Sequence, residues 1–219
     1  MGWWRDQVVP RMTDHFVDTE EVRGLRATVC EGLTGDVLEL GFGSGLNLPH
    51  YPPTARSVAA IEPSDLAWRC AFTRIAAISV PVVRAGLDGQ RLSLPDDSID
   101  TALSTFTMCT IPDLDRALLE LARVLRPGGR LHFVEHGRSD DPRVQRWQDR
   151  LHGLHARVAG GCRIDRPVSA HLTRSRLRVD ALETGYGQGP KVLAYRFVGV
   201  ASKPAPVATD PVDPVFHQV

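Results

Sequence analysis

The sequence predicts an open α/β domain: a mostly parallel sheet with helices on both faces and an antiparallel edge strand. Three observations carry this. β-branched apolar runs alternate with amphipathic stretches, the pattern of parallel strands joined by covering helices. The first run, "VLELGFGSG", ends in glycines on alternate positions, Gly41, Gly43 and Gly45. Two late strand-like runs, Arg176–Leu182 and Lys191–Ser202, are separated by the turn-rich "TGYGQGP" and close the sheet.

Taken in order, residues 1–33 read as helical, with Trp3, Trp4, Val8, Val9 and Met12 near one side and Arg5, Asp6, Arg11 and Asp14 among them. A membrane-surface helix is the competing view of this segment, although its basic face is thin. Strands follow at Val37–Gly41, Ser57–Glu62, Val80–Arg84, Ile99–Ser104 and Arg130–Glu135. A helix is expected directly after the glycine turn. Another starts at Ser64, with Asp65 in its first turn and Leu66, Trp68, Phe72 and Ile75 at helical spacing. Asp113–Arg126 is the clearest helix: Leu114, Leu118, Leu121, Val124 and Leu125 form one face, and "RPGG" stops it. Asp141–Ala159 is a polar-rich amphipathic stretch. Residues 203–219 carry four prolines and read as an extended, solvated tail, a better account of Pro211-Val-Asp-Pro214 than a docking motif.

The whole chain bounds the function. Its 219 residues fit one domain, with 42% hydrophobic and 24% charged residues in the usual globular mix. Basic and acidic residues balance at 26 each, so no global field draws the chain to nucleic acid. No run of about 18 apolar residues appears, and "MGWWRDQVVPRMTDHF" lacks a signal-peptide core. A cytoplasmic protein is expected. Cys30, Cys70, Cys109 and Cys162 lack paired spacing and read as reduced thiols. Only Lys191 and Lys203 are lysines, a bias toward Arg that suggests a GC-rich bacterial genome.

A strand that runs into a glycine turn lets backbone N–H groups approach an anionic group. The dinucleotide fingerprint needs a small residue at position 46, where Leu46 stands, so the turn suits a single carboxylate better than a pyrophosphate. Glu62, at the end of the second strand, is placed to accept hydrogen bonds from ribose hydroxyls; the alternative is a capping or solvent-facing acid before Pro63. Asp88 is placed for an adenine amino group, or else forms the turn before Gly89.

These motifs resemble those of the class I S-adenosylmethionine-dependent methyltransferases. "LELGFGSG" is similar to the family's first motif, "AAIEPSD" to its acidic second-strand end, "LDGQRLSLPDDSID" to the loop and fourth strand, and "RVLRPGGRLHFVEHG" to the segment ending in the fifth, together covering about Thr34 to Gly137. "VEHG" and "GGCRIDRPV" look most like the small-molecule branch that includes alkyl-thiol methyltransferases. Ubiquinone-type and phospholipid methyltransferases share "RPGG" and "LPDDSID". The mammalian thiol enzymes are alike in an N-terminal membrane anchor, which is not expected here. The resemblance implies a Rossmann-like seven-stranded sheet, adenosylmethionine as donor with S-adenosylhomocysteine as product, and a small acceptor, often a thiol. It divides residues 1–202 into an N-terminal lid (1–33), a cofactor-binding core (34–137) and an acceptor-side helix with the last two strands (138–202). The implied cofactor residues are Glu39, Gly41, Phe42, Gly43, Ser44, Gly45, Glu62, Pro63, Leu87, Asp88 and Thr105. Phe42 departs from the small residue or Cys usual between the first two glycines.

Methyl transfer is an in-line displacement, so alignment supplies much of the rate, up to about 7–11 kcal/mol in well-oriented reactions. A thiol of pKa about 8.5 is already a few per cent thiolate at neutral pH, whereas an ammonium near about 10.4 gains far more from a base. His136, just past the fifth strand, is the candidate base or acceptor-orienting group; local hydrogen bonding is the plainer role. Thr105, Phe106 and Met108 follow the fourth strand and line either the acceptor pocket or the core. Gly161, Cys162 and Arg166 lie in the family-like segment, with Cys162 read as a packed thiol. His152, His155 and Cys162 lack a convincing fourth ligand, so no metal is expected. The rivals are an O- or N-methyltransferase of a phenol, quinol or phospholipid headgroup, a non-catalytic adenosylmethionine-binding protein, and a nicotinamide-dependent oxidoreductase, against which Leu46 argues. Oligomeric state is not legible.

Overall fold

The structure is a computed structural model, and it describes residues 18–205. The amphipathic segment with Trp3 and Trp4 and the tail from residue 206 onward lie outside the described residues. The elements are α1 (Glu20–Cys30), β1 (Gly35–Leu40), β2 (Ala55–Ile61), α2 (Asp65–Ala76), β3 (Val82–Gly86), β4 (Ile99–Thr105), α3 (Leu114–Val124), β5 (Leu125–His136), α4 (Pro142–Val158), α5 (Val168–Arg174), β6 (Arg178–Tyr186) and β7 (Tyr195–Ser202). Side-chain caps start the main helices: Thr19 accepts from the Val22 N–H, Ser64 from Ala67, Asp113 from Arg116 and Asp141 from Arg143.

Seven strands form one sheet in the order β3-β2-β1-β4-β5-β7-β6. The first five are parallel, whereas β7 pairs antiparallel with both β5 and β6, so the expected antiparallel edge is the β6–β7 hairpin. Strand order reverses between β1 and β4, where the carboxyl ends of parallel strands leave a crevice.

Alternation along β1 sorts its side chains to two faces. Leu38 and Leu40 join Leu114, Leu118 and Leu121 of α3 and Val168 and Leu172 of α5 in the larger core. Each fully buried Leu contributes about 1.5–3 kcal/mol by leaving water. Val37 faces the other way, with Val29 and Cys30 of α1. Beside them Phe42, Leu48, Val58 and Ala60 pack on Ala71 of α2.

Besides the last run, in which Lys191–Ala194 form a short helix before β7 opens at Tyr195, two sequence expectations need correction. No α-helix follows the glycine turn; only a single 3-10 turn, Leu48–His50, stands there. Pro49, Pro52 and Pro53 deny it backbone donors and disfavour helical geometry in the preceding residues. The second is α3, which stops at Val124 rather than Arg126, because Pro127 drives the residue before it to extended geometry and Leu125 already opens β5.

Candidate functional site

A cleft of about 410 Å³ opens at the β1–β4 crossover. One wall is the glycine turn from Gly41 to Ser44 with Leu46; Glu62, Pro63, Leu87 and Asp88 form the next, and Thr105, Phe106, Ile111, Pro112 and Gly160 close it.

The turn's conformation explains its glycines. Gly41, Gly43 and Gly45 have φ of +72°, +59° and +79°, in the left-handed region that other residues reach only with strain. A Cβ on Gly41 would fall on the Thr107 side chain, whereas nothing lies within 4 Å of one on Gly43. Gly41 is thus a close-packing glycine, and Gly43 leaves its backbone open for a ligand.

Glu62 holds the turn to the second strand. Its Oε2 accepts from the Gly43 N–H at 2.6 Å and its Oε1 from the Ser64 N–H at 2.7 Å. Burial raises its pKa, opposed by those two backbone bonds and by Arg84. Each carboxylate oxygen has two lone pairs, so acceptor capacity remains toward the cleft. From outside, Arg74 of α2 donates to the Ser44 carbonyl at 3.0 Å. Asp88 accepts from the Gln90 backbone N–H and its side-chain Nε2, both at 2.9 Å. It therefore forms the turn considered as its alternative role while still lining the cleft.

Beneath the turn lies a buried polar network in which Glu39 and Thr105, expected among the cofactor residues, meet three residues that the sequence did not single out, Arg26, Asn47 and Tyr51. Arg26 of α1 reaches Asn47 Oδ1 at 2.7 Å and Thr105 Oγ1 at 2.9 Å, and its guanidinium sits 5.8 Å from the Phe106 ring centroid. Asn47 donates to Glu39 at 2.6 Å, and Tyr51 donates to the other Glu39 oxygen. Burial pushes Glu39 up to about 7, against the lowering effects of Tyr51, Asn47 and Arg26. Glu39 thus supports the turn from below and does not line the cleft, and neither does Gly45.

The loop after β4 is held by opposite charges on its two sides. Glu135, wholly buried at the end of β5, accepts from Ser104 Oγ at 2.7 Å, from the Thr107 N–H at 2.9 Å and from the Cys109 N–H at 3.4 Å. Arg166 donates to the Met108 and Ile111 carbonyls at 3.1 and 2.5 Å. Between these clamps Phe106 takes φ of +53°, a conformation rare for a bulky residue, and turns toward the cleft. Met108, by contrast, is fully buried in the core.

His136 lies behind Phe106, with ring centroids 4.6 Å apart, and does not line the cleft. It meets Cys162 and Cys109 instead. Of the cofactor residues expected from the sequence, Gly41, Phe42, Gly43, Ser44, Glu62, Pro63, Leu87, Asp88 and Thr105 do line the cleft.

A glycine turn at a parallel-strand crossover, with an acid on the neighbouring strand, defines a nucleoside-binding α/β domain. Residues 38–133 match the family described as Methyltransferase domain, and that segment is a methyltransferase domain of the S-adenosylmethionine-dependent class. The chain is 30% identical over 138 residues to the human thiol S-methyltransferase TMT1A, covering 61% of this chain and 53% of the relative. It is 33% identical over 104 residues to the phosphatidylethanolamine N-methyltransferase of Cereibacter sphaeroides, covering 47% and 51%. The chain spans about half the length of these curated relatives. A geranyl diphosphate methyltransferase solved with S-adenosylmethionine shares the fold, with a TM-score of 0.63 at 12% identity over 83% of this chain and 84% of the other.

Proposed function

We propose that the chain transfers the methyl group of S-adenosylmethionine to a small-molecule thiol. The observation that carries this is the continuity of one cleft from the Leu87–Asp88 loop, beside which Ile111 and Pro112 stand, past the Glu62-tethered glycine turn to Phe106 and Gly160. The bound donor supplies an electrophilic methyl carbon. The backbone of Gly41–Ser44, with the Arg26 charge nearby, holds its carboxylate end; Glu62 takes the ribose hydroxyls; Leu87 and Asp88 flank the adenine. Thr105 orients Arg26 and Asn47 beneath them. Phe106 and Gly160 border the acceptor, whose sulfur forms the new C–S bond as the sulfonium C–S bond breaks. The thiol proton leaves to solvent before attack, so no buried base is required. His136 orients Phe106 rather than taking that proton.

The thiol preference rests on the apolar Phe106 ring at the acceptor side and on the likeness to the thiol S-methyltransferases. Its test is S-adenosylhomocysteine release from purified protein with a panel of thiols, phenols, amines, quinols and phosphatidylethanolamine vesicles, each product read by mass. Methylated thiols are expected. Methylation confined to phenols, quinols or the lipid headgroup would end the thiol assignment, and no release with donor bound would favour a non-catalytic binding protein.

A further inference from the structure

Cys109, His136 and Cys162 are far apart in sequence, yet each offers a ligand atom within 4.8 Å of the other two. The two sulfurs are 3.4 Å apart. Tetrahedral zinc, with Zn–S about 2.3 Å and Zn–N about 2.0–2.1 Å, needs ligand atoms about 3.5–3.8 Å apart. A disulfide needs about 2.05 Å. The observed spacing is thus nearer a coordination edge than a covalent bond. We propose that Cys109 Sγ, Cys162 Sγ and one His136 ring nitrogen bind a zinc ion, a site that replaces the sequence-based expectation of no metal.

The surroundings fit a built site. Two cysteines and one histidine form a soft donor set that selects zinc over magnesium or calcium. The backbone is fixed on both sides: Glu135 accepts from the Cys109 N–H at 3.4 Å, and the Cys109 carbonyl accepts from the Arg163 N–H at 2.9 Å. His155 of α4 sets its Nδ1 3.1 Å from the Cys162 carbonyl, holding that loop from the far side. Cys109 and Cys162 are both buried among Ile164, Leu151 and Leu193. Three protein ligands leave the fourth tetrahedral position for water. The ion would pin together the loop after β4, the end of β5 and the segment after α4. Thr110 and Gly160, which line the cleft, stand one residue after Cys109 and two residues before Cys162.

The test is metal uptake by the full chain after reduction and chelator treatment, and it does not depend on methyl transfer. Zinc is titrated against a chromophoric competitor, and cobalt is substituted in parallel. One equivalent of zinc is expected, with a thiolate-to-cobalt charge-transfer band and a tetrahedral d–d spectrum. Cys162→Ser should lose the band and weaken zinc binding at least a hundredfold. Should that variant fail to fold, His136→Gln removes a ligand without disturbing the buried sulfurs and should weaken binding at least tenfold. No stoichiometric uptake by the reduced wild-type chain, a cobalt spectrum without thiolate character, or uptake indifferent to His136→Gln would each overturn the proposal.

Discussion

Glu39→Gln isolates the energetics of the buried network beneath the glycine turn. Glu39 is wholly buried, and its pKa stands at about 7 instead of 4.5, with burial as the largest cause. An acid whose folded pKa exceeds its unfolded one binds its proton more tightly in the native state. Stability therefore falls as pH rises from about 4.5, where the unfolded chain ionises, to about 7, where the native chain follows, and is flat beyond. The gap converts to about 3 kcal/mol. Glutamine keeps one carbonyl acceptor for Asn47, and its amide can donate to the Tyr51 oxygen, so the packing survives while the titration is removed. Urea unfolding of both proteins, in steps between about pH 4 and about pH 8, reads the effect as variant minus wild type. That difference should grow by about 3 kcal/mol in favour of the variant across the window. Glu62 and Glu135, which burial raises, and His132, which burial lowers, are common to both proteins and cancel. A difference constant across the window would refute the reasoning.

Other predictions follow from the same contacts. Gly41→Ala, at φ +72° and against Thr107, should destabilise the fold by about 1–3 kcal/mol in urea unfolding. It should also weaken S-adenosylhomocysteine binding more than tenfold by calorimetry. Glu62→Gln deprives the Gly43 or Ser64 N–H of its acceptor and should weaken the same binding about tenfold or more while leaving the far-ultraviolet circular dichroism unchanged. Arg166→Met unpairs the Met108 and Ile111 carbonyls and should cost about 2–4 kcal/mol in unfolding. Its effect on acceptor KM should exceed that on donor affinity.

How legible the site was depended on whether its parts were close in sequence. The glycine turn and Glu62 are 19 residues apart, and local signals placed both: a strand pattern, alternate glycines, and an acid before Pro63. The helix expected after the turn was a weak inference that the prolines at 49, 52 and 53 already contradicted. Arg26 has no signal of its own in the sequence, because nothing local shows that α1 covers β4 and brings it to Thr105, 79 residues on. The clamps on the loop after β4 were hidden in the same way. Glu135 and Arg166 appeared only as members of family-like strings, since their partners are backbone groups that sequence patterns do not reveal. His155 and Cys162 were visible as near neighbours, but Cys109 comes to Cys162 from 53 residues away, and His136 joins those two sulfurs from the end of β5.

The most direct test of the central claim is calorimetric titration of S-adenosylhomocysteine into the full chain, with Glu62→Gln and reduced nicotinamide dinucleotide as controls. The account predicts one saturable site on the wild type, about tenfold or more weaker binding to the variant, and no heat from the dinucleotide. Equal binding to both proteins, or saturable binding of the dinucleotide instead, would contradict it.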